Sequence, residues 1–425
     1  MYDADSRLAV GSPTSPSSLR PPSGARDFLP REVQRREWLE SQLSQVFQRY
    51  GYQRIITPTL ERLETLLAGG SIQAESVLQL RDSEGTMLGL RPELTASIVR
   101  AAATRLSSGP LPLRLYYHGS VFRNSQREEG SSSGQEFFQS GVELIGAGGW
   151  LADAEILTLL ADCIRSVGQG AATPFGHASE GGNGIPDWTL LLGDVSLTES
   201  LLSPIAPTAQ AAVRRAIAQL DYVYLESAPL PEAARQIGSQ ILALRGQPSR
   251  VLPQLAQLPV PADRLRDLQQ LCQVLQEQQV QVVLDLSLVQ TLAYYTGIVF
   301  QAVVGGEVVG LGGRYDRLHA LYSPHQAEQA GIGFTLLPDT LLRLLPPAHK
   351  PDGSGCRRLV VPLVPAGIPQ ALALAAQWRQ SEPVELELLD RSPEEVEAYA
   401  RQCRIPEVAW VQADGSFHLT TLNFN

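Results

Sequence analysis

The sequence predicts an α+β fold with a core of strands and helices, a mainly helical insertion and a small C-terminal α/β domain. In the core, residues 113–123 and 136–146 are rich in apolar and aromatic residues and predict two strands on either side of a polar loop. Residues 196–279 interleave leucine and alanine with arginine, glutamine and glutamate, which predicts helices. After residue 357 short strands alternate with helices, and this order predicts a small domain with a mostly parallel sheet.

The remaining elements follow from local patterns along the chain. Apolar residues recur at helical spacing over residues 31–50 and predict an amphipathic helix. Residues 54–61 predict a short strand followed by a turn. Further strands are predicted at 188–195, 280–285, 288–304, 358–363, 384–389 and 408–412, and further helices at 152–167, 370–381 and 393–403. Residues 87–95 lead into a helix through Ala101, residues 310–316 begin a turn, and residues 330–342 predict a strand followed by a helix.

Composition divides the 425 residues into a tail and two domains. Residues 1–23 are rich in Ser, Pro and Gly and predict a disordered tail. Residues 24–345 form the core, in which residues 196–279 are the insertion. Residues 346–356 predict a Pro/Gly linker, and residues 357–425 form the small α/β domain.

Charge and rare residue types restrict the possible functions. The net charge is -10, which disfavours a nucleic-acid partner because such binding depends on Lys and Arg contacts to phosphates. Lys350 is the only lysine, so Walker-type phosphate loops and most Schiff-base mechanisms are excluded. We expect a cytoplasmic protein with reduced cysteines, since no CxxC pair, membrane-spanning run or secretory signal is present. The six histidines show no metal-ligand spacing, and we expect neither a metal nor a cofactor.

The order of several motifs resembles that of class II histidyl-tRNA synthetases. Residues 31–61 resemble motif 1, which forms the dimer in that family. A Phe-Arg pair and a Phe-x-Gln-x-Gly-x-Glu run within 122–143 resemble motif 2, and residues 330–342 resemble motif 3. The Tyr-Tyr-Thr-Gly run at 294–297 resembles the end of the family's histidine-specific signature. The resemblance implies an antiparallel sheet flanked by helices, a dimer through residues 31–61, and a C-terminal domain like a shortened anticodon-binding domain.

The resemblance also implies a pocket for histidine. In the synthetases, residues at the positions of Glu93, Thr95 and Gln139 hold the ammonium. Those at the positions of Glu143 and Tyr294 contact the imidazole. Adding the motif 2 arginine and the neighbouring tyrosine, the candidate histidine-binding residues are Glu93, Thr95, Arg123, Gln139, Glu143, Tyr294 and Tyr295.

The residue types support this pocket independently of the resemblance. Gln139 and Glu143 lie four apart on a predicted strand, so their side chains share a face, whereas Tyr295 is expected to face away from Tyr294. Two carboxylates in one cleft are costly unless a cation or a hydrogen-bond donor binds them. Each residue taken singly is better explained as an ordinary paired or exposed side chain. Their matched order and spacing together favour a ligand site.

Several cations that the synthetases use on ATP are missing. The signature arginine and aspartate correspond to Gln290 and Ala293, and the motif 3 arginine corresponds to Thr340. The motif 2 loop has Asn124 where a glutamate is usual, and residues 130–133 read Gly-Ser-Ser-Ser in place of an arginine-containing run. Neutral side chains cannot replace charges on a polyphosphate. We therefore expect no adenylation and no catalytic residues.

A synthetase-like chain that keeps a histidine pocket but lacks these arginines resembles the regulatory subunits of ATP phosphoribosyltransferase. That family implies a short-form catalytic subunit as partner, within a hetero-oligomer, at the first step of histidine biosynthesis. It also implies feedback inhibition by histidine, for which a coupling of about 1–3 kcal/mol is sufficient. Two alternatives stay open: an active but divergent histidyl-tRNA synthetase, and another synthetase paralogue. Binding of tRNA is not expected. Arg314 and Asp316 are predicted to form a structural pair.

Overall fold

The computed structural model describes residues 21, 24–70, 72–124, 136–169, 188–289, 294–323, 328–345 and 357–423. The chain divides into two compact units, residues 1–349 and 350–425. Nearly all of the predicted tail, the whole predicted linker, Gln290, Ala293 and the 130–133 run lie outside the described residues.

Most helices of the first unit lie in the predicted helical regions, whereas the short helices Leu63–Leu67 and Leu318–Tyr322 were not predicted. The helices of this unit are α1 (Pro30–Arg49), α2 (Leu63–Leu67), α3 (Thr95–Thr104), α4 (Trp150–Gln169), α5 (Val195–Leu202), α6 (Pro207–Ala218), α7 (Tyr222–Ser227), α8 (Glu232–Ala243), α9 (Pro248–Leu255), α10 (Ala262–Glu277), α11 (Leu318–Tyr322) and α12 (Pro338–Leu344). Helices α5 to α10 account for most of the predicted insertion, so its mainly helical character is confirmed.

The strands of the first unit form two sheets. They are β1 (Gln53–Arg54), β2 (Leu60–Arg62), β3 (Gln79–Arg81), β4 (Met87–Leu90), β5 (Leu113–Phe122), β6 (Glu136–Ile145), β7 (Trp188–Asp194), β8 (Arg245–Gly246), β9 (Val282–Asp285), β10 (Ile298–Val304), β11 (Glu307–Arg314) and β12 (Gly331–Leu336). The large sheet has nine strands in the order β1-β5-β6-β12-β11-β10-β7-β9-β8, and the small one has the order β2-β4-β3.

The centre of the large sheet is antiparallel from β5 to β7. Parallel pairing is confined to β1 with β5 and β7 with β9. The longest ladder joins β5 and β6, from Leu113 opposite Ile145 to Phe122 opposite Glu136. The predicted antiparallel sheet flanked by helices is therefore confirmed.

Side-chain alternation gives the two faces of this sheet different roles. Val142 and Leu144 of β6 belong to the main apolar core, which α1 and α4 cover. Ile145 packs on the opposite face with Val99 of α3 and Leu318 of α11. Because alternate residues point to opposite faces, the odd-numbered side chains of β6 point toward α3 and away from the main core.

The second unit contains a small α/β fold. Its elements are β13 (Arg358–Pro362), α13 (Ile368–Trp378), β14 (Val384–Leu386), α14 (Pro393–Cys403), β15 (Glu407–Val411) and β16 (Phe417–Thr421). The sheet order is β14-β13-β15-β16, with two parallel ladders and one antiparallel ladder. This matches the predicted, mostly parallel sheet.

Two predictions of local structure were wrong. The strand predicted at 288–304 begins only at Ile298, because Thr296 and Gly297 bond to other elements: the Thr296 N–H donates to Arg314 O at 2.7 Å, and Gly297 O accepts from Val195 N at 2.9 Å. The turn predicted at 310–316 is largely strand β11. Its glycines permit close packing in place of a turn, since a Cβ on Gly312 would lie 2.6 Å from the Phe300 ring.

Candidate ligand-binding site

All seven candidate residues line one cavity of about 340 Å³ between the sheet face and the start of α3. Its volume lies in the range of small-molecule sites. The described lining comprises Ile72, Ser76, Pro92, Glu93, Thr95, Tyr117, Arg123, Gln139, Glu143, Tyr294, Tyr295, Leu311, Gly312, Tyr315, Gly333, Phe334 and Thr335. The structure thus brings the seven candidates together from four separate stretches of the chain. Their binding of histidine is a prediction to be tested.

Strand β6 supplies the two most buried candidates. Gln139 is 5% exposed and Glu143 is 1% exposed, and both side chains reach the cavity as their spacing of four predicts. Within the described residues, no side chain or backbone group hydrogen-bonds to the Gln139 amide. This amide is therefore available to a ligand.

Glu143 accepts two hydrogen bonds from neighbouring hydroxyls. Thr95 Oγ1 donates to Oε1 at 2.7 Å, and the Tyr315 hydroxyl donates to Oε2. Burial raises the pKa of Glu143 to about 8, although both hydrogen bonds oppose the rise, and nearby Glu93 adds to it. In the absence of a cationic partner this carboxyl is therefore mainly protonated at neutral pH, and a cationic ligand would favour its ionised form.

Glu93 caps the N-terminus of α3. Its Oε2 accepts from Thr95 N at 2.6 Å and its Oε1 from Ala96 N at 2.9 Å. Burial raises the pKa of Glu93, while these hydrogen bonds and Arg123 counteract the rise. Thr95 thus joins the two acids, since its N–H donates to Glu93 and its hydroxyl to Glu143.

Arg123 is the only cation among the described residues that line the cavity. Its side chain is exposed, its Nε donates to Pro92 O at 3.2 Å, and its guanidinium carbon lies 5.8 Å from the centre of the Phe137 ring. An exposed guanidinium next to buried Glu143 and half-buried Glu93 suits a ligand that carries a carboxylate at one end and donors at the other.

Tyr294 and Tyr295 form an aromatic wall. Their ring centres lie 5.2 Å apart at 75°, and Tyr294 lies 6.1 Å from Tyr315 at 84°. Burial raises the pKa of Tyr294 well above its ordinary value, so its hydroxyl is neutral. The prediction that Tyr295 faces away from Tyr294 was wrong, because the segment is not a strand here and both rings line the cavity.

Comparison with known proteins identifies the family. The family model described as Histidyl-tRNA synthetase matches residues 24–341. A relative named ATP phosphoribosyltransferase regulatory subunit, from Synechococcus sp. (strain JA-3-3Ab), is 79% identical over 96% of this chain and 96% of its own length. The chain belongs to the family of ATP phosphoribosyltransferase regulatory subunits. A relative of the same name from Cyanothece sp. (strain PCC 7425 / ATCC 29141) is 46% identical over 93% of this chain and 97% of its own.

Solved structures agree with membership of this family. A structure described as an ATP phosphoribosyltransferase regulatory subunit/histidyl-tRNA synthetase from Bacillus halodurans C has a TM-score of 0.77 at 26% identity, and it covers 94% of this chain and 99% of its own. Histidyl-tRNA synthetase from Nostoc sp. PCC 7120 has a TM-score of 0.72 at 20% identity, over 95% of this chain and 97% of its own. The second likeness shows the fold alone. The predicted family and class II fold are confirmed.

Sequence reasoning missed four polar residues of this family member's cavity: Ser76, Tyr117, Tyr315 and Thr335. Tyr315 lies between Arg314 and Asp316, which do pair as predicted, with Arg314 Nη1 3.0 Å from Asp316 Oδ1. The sequence could have indicated Tyr117 only through strand alternation, which places it on the same face of β5 as Leu115 and Gly119. That signal becomes useful only when the register with β6 is known.

Glycines form the floor beneath these side chains. Gly333 lies opposite Glu143 in the ladder, and a Cβ there would collide with Glu143 Oε2. A Cβ on Gly141 would lie 2.5 Å from the Tyr117 hydroxyl, and one on Gly313 would lie 2.8 Å from Tyr295 Cε1. The absent side chains let one carboxyl and two tyrosines lie flat against the sheet.

Two kinds of feature are absent from the part of the chain that the structure describes. No helix there is long and apolar enough to cross a bilayer. No group of three or more His, Cys, Asp or Glu side chains there is arranged to hold a metal ion. The expectation that the protein needs no metal stays a prediction.

Proposed function

We propose that this chain is a non-catalytic regulatory subunit of ATP phosphoribosyltransferase, acting at the first step of histidine biosynthesis. It would be required for the activity of a short-form catalytic subunit and for feedback inhibition by histidine. Identity of 79% to a relative of that name, over almost the whole of both chains, supports the role.

The observation that carries the ligand assignment is the pair of acids joined by Thr95 in one cavity. Histidine brings an ammonium and an imidazole, which together supply the donors that Glu93, Glu143 and the Gln139 amide can accept. Its carboxylate would meet Arg123 at the exposed side. Tyr294 and Tyr295 would flank the ring. Every polar group of the ligand then has a partner in the lining.

The loss of ATP-binding charge supports a non-catalytic role. Thr340 lies on α12, at the position where the synthetases carry an arginine. Asn124 hydrogen-bonds to the main chain near the cavity mouth, with its N–H donating to Ser76 O at 2.9 Å and its amide to Glu75 O at 3.1 Å. A neutral residue that closes onto the protein offers no charge to a polyphosphate.

The predicted homodimer through residues 31–61 is part of the proposal. Ile56 is 79% exposed and Leu60 is 42% exposed in this region. A partner that covers these two side chains would remove their apolar surface from water. The hetero-oligomer with the catalytic subunit would be built on this dimer.

Co-expression with a short-form catalytic subunit tests the role. The complex should convert ATP and phosphoribosyl pyrophosphate, and histidine should inhibit it, whereas the catalytic subunit alone should be much less active. Histidine-dependent ATP–pyrophosphate exchange by this chain alone would instead support an active synthetase. A gel shift with tRNA would support another paralogue.

Calorimetry with Glu143→Ala tests the cavity. This variant should lose histidine binding while circular dichroism shows a folded chain. Glu84→Ala, which changes an exposed glutamate in the turn between β3 and β4, is the matched control and should bind as wild type does. Wild-type affinity in Glu143→Ala would refute the assignment of the cavity.

A further inference from the structure

We propose that Arg264, on insertion helix α10, is a positioning residue for the histidine cavity. It fixes the backbone at Gly297 and, through it, the Tyr294–Tyr295 wall, so that the insertion and the cavity are coupled. The inference rests on the proposed function and adds to it a route by which histidine binding reaches the insertion.

The first step is a buried ion pair between α10 and the start of α5. Arg264 Nη2 lies 2.8 Å from Asp194 Oδ2, and Arg264 Nε donates to Ser196 Oγ at 3.2 Å. Asp194 is 2% exposed and also caps α5 by accepting from Leu197 N at 3.1 Å. Removing one partner of such a pair leaves a buried charge uncompensated, so the pair fixes the position of α10.

The second step is the close approach of two arginines to Gly297. A Cβ on Gly297 would lie 3.0 Å from Arg264 Nη2 and 2.9 Å from Arg314 Cδ. Gly297 O accepts from Val195 N at 2.9 Å, in the first turn of α5. Side chains from the insertion and from β11 therefore both pack against the face of Gly297 where a Cβ would point, and the backbone has no room to move toward that face.

The third step fixes the adjacent residue. Thr296 N–H donates to Arg314 O at 2.7 Å, and Asp316 N donates to Thr296 Oγ1 at 3.1 Å. Arg314 is itself held by buried Asp153, to which its Nε donates at 2.9 Å. Hydrogen bonds therefore hold Thr296 to β11 and Gly297 to α5.

The two segments joined by these contacts, Thr296–Gly297 and Arg314–Asp316, each lie next to a side chain of the cavity. Tyr295 directly precedes Thr296, and Tyr315 lies between Arg314 and Asp316 and donates to Glu143. A displacement of α10 would move Tyr295 relative to Tyr315 and change the space left for a ligand. By linkage, histidine that fixes the tyrosines must equally restrain α10.

The test compares Arg264→Gln with Arg266→Gln by calorimetry with histidine. Arg266 is exposed on the same helix and, within the described residues, has no ion-pair or hydrogen-bond partner. We expect Arg264→Gln to bind histidine about tenfold more weakly, the control to bind as wild type, and Arg264→Lys, which can keep the pair with Asp194, to recover most of the affinity.

Amide hydrogen exchange supplies a readout that a merely structural role would not change. In wild type and in Arg266→Gln, histidine should slow exchange within Ala262–Glu277, and in Arg264→Gln this slowing should disappear. Should Arg264→Gln not fold, the wild-type exchange and the Arg264→Lys affinity still decide. Wild-type binding without slowed exchange in α10, or equal affinities in the two glutamine variants, would overturn this inference alone. A wild-type chain that does not bind histidine would overturn the proposed function as well.

Discussion

Replacing Glu143 by glutamine should stabilise the empty protein, and the gain should grow as the pH rises from about 5 to about 8. The carboxyl has an ordinary pKa of 4.5, which burial raises to about 8 in the folded chain. Between these values the unfolded chain has lost the proton and the folded chain keeps it. Rising pH therefore favours unfolding of the wild type, and the stability that the bound proton gives is complete only below pH 4.5.

The size of the effect follows from the width of this window. One pH unit corresponds to about 1.4 kcal/mol, so a window of about 3.5 units corresponds to about 5 kcal/mol in the free energy of unfolding. The glutamine amide does not ionise, and its oxygen can still accept a hydrogen bond from Thr95 or Tyr315. The variant should therefore lack this part of the pH dependence.

Urea denaturation of both proteins at several pH values measures the difference directly. All other ionisable groups, including Glu93, are present in both chains, so the difference in unfolding free energy reports on Glu143 together with its coupling to Glu93. Glu84→Gln, at an exposed position in the turn between β3 and β4, is the matched control. Saturating histidine should stabilise the wild type and leave Glu143→Gln unchanged. A difference that stays constant or shrinks between pH 5 and pH 8 would show that this carboxyl is not held protonated.

Three further substitutions test the cavity and its support. Gly333→Ala should abolish histidine binding in calorimetry, because the new Cβ would collide with Glu143; unchanged affinity would refute the packing of the floor. Thr95→Val should weaken histidine binding about tenfold or more, since it removes the hydroxyl that donates to Glu143 at 2.7 Å but keeps the backbone N–H that donates to Glu93. Arg314→Met should lower the free energy of unfolding by about 3–5 kcal/mol, because Asp153 is left buried and unpaired; a loss below about 1 kcal/mol in urea denaturation would contradict this.

The parts of the fold that the sequence predicts well are those with long periodic patterns. The helix predicted over 31–50 is Pro30–Arg49, and the strands predicted at 113–123 and 136–146 are Leu113–Phe122 and Glu136–Ile145. In these elements the apolar residues repeat over several turns or alternations, so burial of one face determines the local structure.

The stretches that were predicted wrongly depend on distant partners. The β-branched and aromatic residues before Ile298 suit a strand, but bonds from Arg314 and Val195 hold the segment in another shape. The glycines of β11 suggest a turn, yet their absent side chains make room for Phe300 and Tyr295. Neither contact can be deduced from adjacent residues, because the first involves the start of α5, about a hundred residues earlier, and the second depends on the register of the β10–β11 hairpin.

The same distinction explains what could be predicted of the site. The seven candidates came from motif order, and each acts on a ligand through its own side chain. Tyr315 and the glycine floor act through other residues: Tyr315 donates to Glu143, and Gly333 leaves space beneath it. Such supporting positions have no chemical signature of their own, so they are identified only when the contacts are known.

The proposed histidine cavity and the proposed non-catalytic role have a common consequence for how ligand binding is used. In an enzyme, the affinity for an amino acid helps to position it for reaction. Where no reaction follows, binding can act only by favouring one conformation over another. A cavity wall free to adjust locally would transmit nothing. Here Tyr295 precedes Thr296 and Gly297, whose backbone is held by hydrogen bonds. Arg264 packs against Gly297 and so links this backbone to the insertion. A ligand that orders this wall must therefore act on residues well outside the cavity, as regulation requires.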